Sequence, residues 1–299
     1  MLTRRHALGF IGAAATLAAR PARAQHALHV VATFSILGDF VKNVGGERAE
    51  VATLVKPNAD AHVYSPTPND VRSVAGATAV FVNGLGLEGW MTRLISASGT
   101  KASLVVTTRG VNPLKMDDER YGGRTVDPHA WQSVANARIY VTNIREGLIL
   151  ADPVNKNYYD ANANSYVAKL NALEGEVKEA ISKIPADHRK IITTHDAFGY
   201  FADAYGMEII SPEGISTDAE PSAKDVAGIV SQIRRQKIPA VFMENINDPR
   251  LMQQIALETG ARIGGTLYSD ALSGPDGPAG TYIDMMRNNV RELTKALVS

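Results

Sequence analysis

His62, His129, His195 and Asp270 are the residues of this chain whose types and spacing could do chemistry together. They lie 67, 66 and 75 residues apart, and each follows a short apolar stretch that reads as a β-strand. Imidazole nitrogens and a carboxylate oxygen are the usual ligands of Zn²⁺, and a set that draws one member from each of four distant loops exists only in the folded chain. A lone loop histidine is more often a surface or hydrogen-bonded residue than a ligand. Four side chains at the same kind of location point instead to one metal held between two domains.

The elements that must position them alternate. His29 to Phe34 and Val51 to Val55 read as strands, with Ile36 to Val44 helical between them; Ala77 to Val82 and Ala102 to Val106 follow, with Leu87 to Ile95 helical between those. After the midpoint come strands at Lys190–Thr193, Met207–Ile210, Ala240–Met243 and Arg262–Gly265, interleaved with helices at Phe198–Tyr205, Ala223–Gln236, Pro249–Thr259 and Tyr282–Val298. This βαβ order implies parallel sheets. In open α/β sheets the crevice outside the carboxyl ends of the strands is where ligands bind, and all four candidate residues fall there.

Between the halves, residues 132–149 look helical, and a second helical stretch opens at Pro153 and is stopped by Pro185. Its apolar positions Tyr159, Ala163, Tyr166, Leu170, Leu173, Val177 and Ile181 recur at three and four residues, the stripe of one helix face. About 30 residues at about 1.5 Å each would span on the order of 45 Å, the length of a domain pair. The expected fold is α/β, two lobes with parallel sheets joined by one long backbone helix: lobe 25–150, linking helix 151–185, lobe 186–299. Loop 110–127 is polar and without periodicity, and is expected to be mobile.

At 299 residues the chain exceeds the size at which one core usually stops growing, which agrees with two domains. Residues 1–24 have the form of a secretory signal peptide: Arg4 and Arg5, an apolar run from Ala7 to Ala19, and Ala22-Arg23-Ala24 before Gln25. The twin arginine leaves Sec and Tat export both open. Without this segment the chain carries 27 basic and 31 acidic residues, a formal charge of −4, and no nucleic-acid partner is suggested. The chain has no cysteine, which excludes a disulfide framework, a thiolate metal site and a lipid-modified cysteine within it. The expected location is a periplasm, with the mature chain soluble and monomeric.

The control histidines are informative. His26 and His29 lie at the mature amino terminus and His188 in a polar turn, where solvation is the better reading; His6 leaves with the signal. Gly84-Leu85-Gly86-Leu87-Glu88-Gly89 fits G-x-G-x-x-G, but it follows a later strand, and the next acidic residues, Asp117 and Asp118, are too far for a ribose contact, so a tight structural turn is expected. Trp90, Trp131, Tyr200 and Phe201 fall within apolar patterns and read as core or pocket wall. Glu244, at a strand's carboxyl end, is a partner orienting a histidine, an interlobe hydrogen-bond acceptor or a solvated carboxylate. Asp196 could cap the helix that starts near Ala197.

Asp60-Ala61-His62-Val63-Tyr64-Ser65-Pro66-Thr67-Pro68-Asn69-Asp70 resembles the first-ligand motif of the cluster A-I solute-binding proteins that deliver zinc or manganese to ABC transporters, the ZnuA/TroA-like family. Asn83-Gly84-Leu85-Gly86-Leu87-Glu88, Asp127-Pro128-His129-Ala130-Trp131, Thr194-His195-Asp196-Ala197-Phe198-Gly199-Tyr200-Phe201 and Tyr268-Ser269-Asp270-Ala271-Leu272 match its later motifs in order, across nearly the whole mature chain. The resemblance implies two α/β lobes on one long helix, limited hinge movement, and one metal at the interface held by His62 and His129 from the first lobe and His195 and Asp270 from the second. It implies a membrane permease as partner, with a metal chaperone as a further candidate.

In the manganese branch of that family the third ligand is often glutamate, where this chain has His195. Zinc-specific members often carry a long histidine-rich loop before the second ligand, where residues 110–127 are short and lack histidine. Three imidazoles and one carboxylate suit tetrahedral Zn²⁺, with Mn²⁺ the alternative if Asp270 binds through both oxygens or a water is added. An exported zinc hydrolase is the competing class, but no H-E-x-x-H motif occurs, and catalytic zinc usually has three protein ligands plus water. A surface adhesin is favoured only by analogy with lipid-anchored relatives.

Overall fold

The computed structural model describes residues 27–118 and 123–298; the signal-like segment 1–24 and His26 lie outside them. The first sheet is formed by β1 (Leu28–Phe34), β2 (Ala49–Val55), β3 (Ala79–Val82) and β4 (Ser103–Val106), all parallel in the order β2-β1-β3-β4. Its helices are α1 (Ser35–Gly45), α2 (Pro68–Ala75) and α3 (Met91–Ser98). The strands of β3 are buried at every position, as expected of a sheet covered on both faces.

Residues 110–127, expected as an unstructured loop, hold a two-stranded antiparallel ribbon, β5 (Lys115–Asp118) paired with β6 (Gly123–Val126). Charged residues such as Asp117 and Asp118 are poor strand formers, so local sequence conceals a ribbon that cross-strand pairing creates. Its base is closed by the Asp127 N–H donating to the Leu114 carbonyl at 3.0 Å, and Tyr200 Oη sits against the same base, accepting from Leu114 N–H and donating to the Asp127 carbonyl.

After α4 (Val134–Ala151), α5 (Lys156–Ser182) runs 27 residues, preceded by a 3₁₀ turn at Pro153–Asn155. The helix therefore starts three residues later than Pro153 suggests, because Asp152 accepts from Asn155 and Tyr159 and holds that turn. Its buried residues are Tyr159, Ala163, Tyr166, Leu170, Leu173, Val177 and Ile181, the stripe read from the periodicity. The second sheet comprises β7 (Lys190–Ile192), β8 (Glu208–Ile210), β9 (Ala240–Glu244) and β10 (Arg262–Leu267), parallel in the order β10-β9-β7-β8, with α6 (Gly199–Tyr205), α7 (Ala223–Gln236), α8 (Arg250–Thr259) and α9 (Tyr282–Leu297).

The two lobes do not have separate cores. Residues of the first sheet, α5, α6 and α9 join one apolar cluster that reaches Phe242 and Leu267 of the second sheet, whereas only the far face of that sheet, under α7 and α8, forms an independent cluster around Ile233 and Met252. The linking helix is thus part of a shared core. Among the described residues no helix is long and apolar enough to cross a membrane.

Gly147, in the middle of α4, shows how closely the layers pack. A glycine there is worse than alanine for the helix by about 1 kcal/mol, yet a Cβ would come within 2.7 Å of Val105 Cγ2 and 3.0 Å of Phe81 Cε1. The overlap outweighs the propensity gain. Gly147→Ala is therefore expected to destabilise the protein, by about 1–3 kcal/mol, as read from its urea unfolding midpoint.

Candidate metal centre

Each candidate side chain is placed by recognisable local structure. His62 precedes α2, whose amino terminus is a reciprocal capping box: Thr67 Oγ1 accepts from Asp70 N–H, Asp70 Oδ2 accepts from Thr67 N–H at 2.6 Å, and Pro68 occupies the first turn. The preceding loop is pinned by Trp90 Nε1 donating to the Ala61 carbonyl at 2.8 Å and by Tyr64 Oη donating to Asp70.

His129 follows the ribbon, and its position depends on the glycine-rich turn. Gly84 and Gly86 have φ of 85° and 90°, the left-handed region open to glycine, and the turn folds Glu88 back so that its carboxylate accepts from Thr33 Oγ1 and from the Asn83 and Gly84 N–H groups. Asn83 then donates to the Pro128 carbonyl at 2.9 Å. The motif is a structural turn, as expected, and what it cradles is a buried carboxylate of its own. Burial pushes that carboxyl above its ordinary pKa, with the three donors working the other way.

His195 stands at the carboxyl end of β7, between β8 and β9, where strand order reverses in the second sheet. Asp270 follows β10 on a segment fastened to the first lobe: the Ser269 carbonyl accepts from Trp131 Nε1 at 2.8 Å and Gln132 Nε2 at 2.7 Å, and Leu272 N–H donates to Ser35 Oγ while its carbonyl accepts from Asn58 N–H. His195 and Asp270 thus both follow strands of the second sheet, β7 and β10, and the Asp270 segment is in addition hydrogen-bonded to the first lobe.

The structure brings all four together, one ligand atom of each lying within 4.8 Å of the others. Nε2 of His62 is 3.1 Å from Nε2 of His129 and 3.1 Å from Asp270 Oδ2, which is 3.2 Å from His195 Nε2; Asp270 Oδ1 is 3.6 Å from His129 Nε2. A tetrahedron with bonds of about 2.0–2.1 Å has edges of about 3.3 Å; the contacts of His62 with His129 and with Asp270, and of Asp270 with His195, match it, and the whole set stays within 4.8 Å. His129, His195 and Asp270 are fully buried.

Carboxylates behind two of the rings decide which nitrogen faces the centre. His129 Nδ1 is 2.8 Å from Asp127 Oδ1, and His195 Nδ1 is 2.7 Å from Glu244 Oε2. A carboxylate only accepts, so in its hydrogen bond to Asp127 His129 Nδ1 carries the proton, the ion-pair contact of Glu244 favours a proton on the same atom of His195, and the neutral form of each ring, the one that can bind a metal, presents its Nε2 lone pair inward. Glu244 Oε1 also accepts from the Thr194 and His195 N–H groups at 2.8 and 2.9 Å, fixing the loop as well as the ring. Glu244 is thus buried against His195, as the orienting alternative required. Asp127 is a comparable partner that the sequence reading overlooked, although a carboxylate two residues before His129 was a visible signal. Asp196, by contrast, is not the cap of α6: that helix starts after Phe198 with no side-chain cap, and Asp196 accepts from Ser211 Oγ.

The control histidines stay apart, His29 against Glu50 at the surface and His188 against the Leu297 carbonyl. Trp90, Trp131, Tyr200 and Phe201 are buried, with Trp131 and Tyr200 doubling as hydrogen-bond donors that hold the site loops.

A family described as "Zinc-uptake complex component A periplasmic" matches residues 30–296. This chain belongs to that family. The iron-binding protein YfeA of Yersinia pestis is 36% identical over 285 residues, covering 95% of this chain and 91% of that protein. The manganese-binding lipoprotein MntA of Halalkalibacterium halodurans is 34% identical over 90% of this chain and 88% of its own length. Among solved structures, the periplasmic zinc-binding protein TroA of Treponema pallidum matches with a TM-score of 0.85 at 29% identity, over 92% of this chain and 100% of that one. The family consists of substrate-binding components of ABC transporters and not of enzymes, which removes the hydrolase class and agrees with two lobes on a long helix.

Without metal, the buried Asp270 must be balanced by its neighbours. Burial works against its charge, but His129 and His195 hold it well below the usual carboxylate range. Burial likewise disfavours the charged His129, yet Asp270's charge and Asp127 outweigh it and push the imidazole up to about 9; His195 is raised too, by Glu244 and Asp270 against burial. A histidine whose folded pKa lies above its unfolded value of about 6.5 stabilises the fold below that pH, and the gain disappears as pH rises through the folded value. The metal-free protein should therefore lose on the order of 5 °C in Tm between about pH 6.5 and pH 9, checked by scanning calorimetry, with the His129 ring resonances titrating near the upper end.

Proposed function

We propose that this family member is a periplasmic solute-binding protein that captures Zn²⁺ through Nε2 of His62, His129 and His195 and a carboxylate oxygen of Asp270, and delivers it to the membrane permease of an ABC importer. The metal is cargo, carried in and out, and no chemistry is done on it. The observation that carries the reading is three imidazole nitrogens and one buried carboxylate gathered within 4.8 Å, with His62 at 3.1 Å from both His129 and Asp270, and His195 at 3.2 Å from Asp270. The zinc choice rests on the nitrogen-rich donor set, which by the Irving–Williams order favours Zn²⁺ over Mn²⁺, and the zinc-binding TroA is a relative with the same architecture.

Residues 25–150 and 186–299 act in this reading as the two lobes about helix 151–185, residues 1–24 as the export signal, and the mature protein as a soluble monomer whose partners are the permease and a loading chaperone. A second metal is favoured by one feature: Asp270 turns both oxygens toward the imidazoles, and Oδ1 has no hydrogen-bond partner. Binding through both oxygens would make a five-donor site, which suits Mn²⁺ or Fe²⁺, and MntA and YfeA are described as manganese- and iron-binding.

Competition titration of the metal-free protein should give one metal per chain, with Zn²⁺ preferred over Mn²⁺ by about tenfold or more; tighter Mn²⁺ binding would sink the zinc assignment, and His195→Glu should move the preference toward Mn²⁺. Glu244→Gln, which leaves every proposed ligand in place, should weaken Zn²⁺ binding by about 10- to 100-fold, measured in the same titration.

A further inference from the structure

His62 is held unlike the other two imidazoles. His129 and His195 each have a buried carboxylate behind Nδ1, whereas among the described residues none stands behind His62, whose recorded side-chain partners are all at Nε2. His62 also lines a cleft of about 290 Å³ that opens from the site, and it is the only one of the four that is not fully buried.

What fixes His62 is its backbone. The His62 N–H donates to Asp60 Oδ1 at 2.8 Å, and the other oxygen of Asp60 accepts from Thr217 Oγ1 at 2.5 Å, 157 residues further along the chain. Thr217 lies in the segment between β8 and α7, which is fastened to the His195 loop: Glu213 N–H donates to the Thr194 carbonyl at 3.2 Å and Asp196 N–H to the Gly214 carbonyl at 3.0 Å. Its neighbours Ile215, Ser216 and Asp218 form one wall of the cleft, facing Leu85, Gly86 and Pro128 of the first lobe.

We infer that the Thr217–Asp60 hydrogen bond is a latch that sets how long the metal stays, Thr217 and Asp60 being positioning residues that never touch it. This rests on the four-ligand reading above. While the bond is made, the loop carrying His62 and the loop carrying His195 form one unit across the mouth of the cleft. When it breaks, the loop of His62, the ligand with no carboxylate behind its ring, and the loop of His195 are released from each other. Losing the bond frees the two loops of the filled site from each other, which speeds dissociation and leaves association, which does not need the latch to be made, unaffected.

The test loads the full chain with one equivalent of Zn²⁺ and follows transfer to an excess of fluorescent chelator by stopped flow, with association measured separately. Thr217→Val, which keeps the shape and removes the hydroxyl, should release Zn²⁺ about tenfold faster, with an association rate within about twofold of wild type, and Thr217→Ser should restore slow release. Thr217→Ala reads the same way should the valine variant fail to fold by circular dichroism. Wild-type protein that takes up no Zn²⁺ overturns the site reading itself. Wild type that binds normally while Thr217→Val releases at the wild-type rate overturns the latch and leaves the ligands standing, as does Thr217→Ser releasing as fast as Thr217→Val.

Discussion

Asp270 is fully buried, and taking a carboxylate out of water costs several kcal/mol unless opposite charge and hydrogen bonds offset it. Three imidazoles face it from three loops, and the segments on either side of it are clamped by Trp131, Gln132, Ser35 and Asn58. Much of the architecture answers that demand. The seam must be rigid enough to keep the charge out of water, and the neighbours must supply positive charge whenever no cation does. In the metal-free chain the raised pKa values of His129 and His195 answer that demand; in the proposed filled site a divalent cation would take over the role and displace those protons.

That constraint also explains why the lobes are unequal partners. A conventional two-lobed binder closes two independent bodies on a ligand, but here one apolar cluster runs from the first sheet through α5 and α9 into the second sheet, leaving only the face under α7 and α8 separate. Large hinge rotation would have to break that core. The segment between β8 and α7 contributes no side chain to that cluster and is tied to the His195 loop by backbone hydrogen bonds.

Much of this was legible in the sequence for identifiable physical reasons. The convergence of His62, His195 and Asp270 was legible because each follows a strand of a parallel sheet, whereas His129 follows β6 of the ribbon and reaches the same place by a route the sequence did not show. The buried face of α5 could be read to the residue because a long helix with one shared core imposes its 3.6-residue period on the chain. Thr67-Pro68 is a recognisable helix start before α2, while the reciprocal bond that Asp70 returns to Thr67 shows only in the fold. The β5–β6 ribbon escaped because its stability comes from pairing, and its residues have no strand preference to betray it. Asp127 and Glu244 differ in the same way: both are carboxylates near a histidine or a strand end, and only folding shows which oxygen lies against which ring nitrogen. Asp196 looked like a helix cap because it sits at the right distance from α6, but the Ser211 hydroxyl claims it.

The remaining chemical question, which cation fits best, comes down to the orientation of one carboxylate. The three imidazoles are fixed: Asp127 and Glu244 lock two ring orientations from behind, and the pinned backbone around Ala61 and His62 places the third. Asp270 has more freedom, because its Oδ2 lies between His62 and His195 while Oδ1 faces His129 without a hydrogen bond to hold it. If Oδ1 stays out of the coordination sphere, four donors remain and tetrahedral Zn²⁺ is favoured; if a small rotation brings it in, the shell expands toward what Mn²⁺ and Fe²⁺ accept. Relatives described as binding zinc, manganese and iron within one fold are what such a site would produce. In this chain the third imidazole, His195, weighs against expansion, since each nitrogen donor strengthens the preference for Zn²⁺ over Mn²⁺ at a given coordination number.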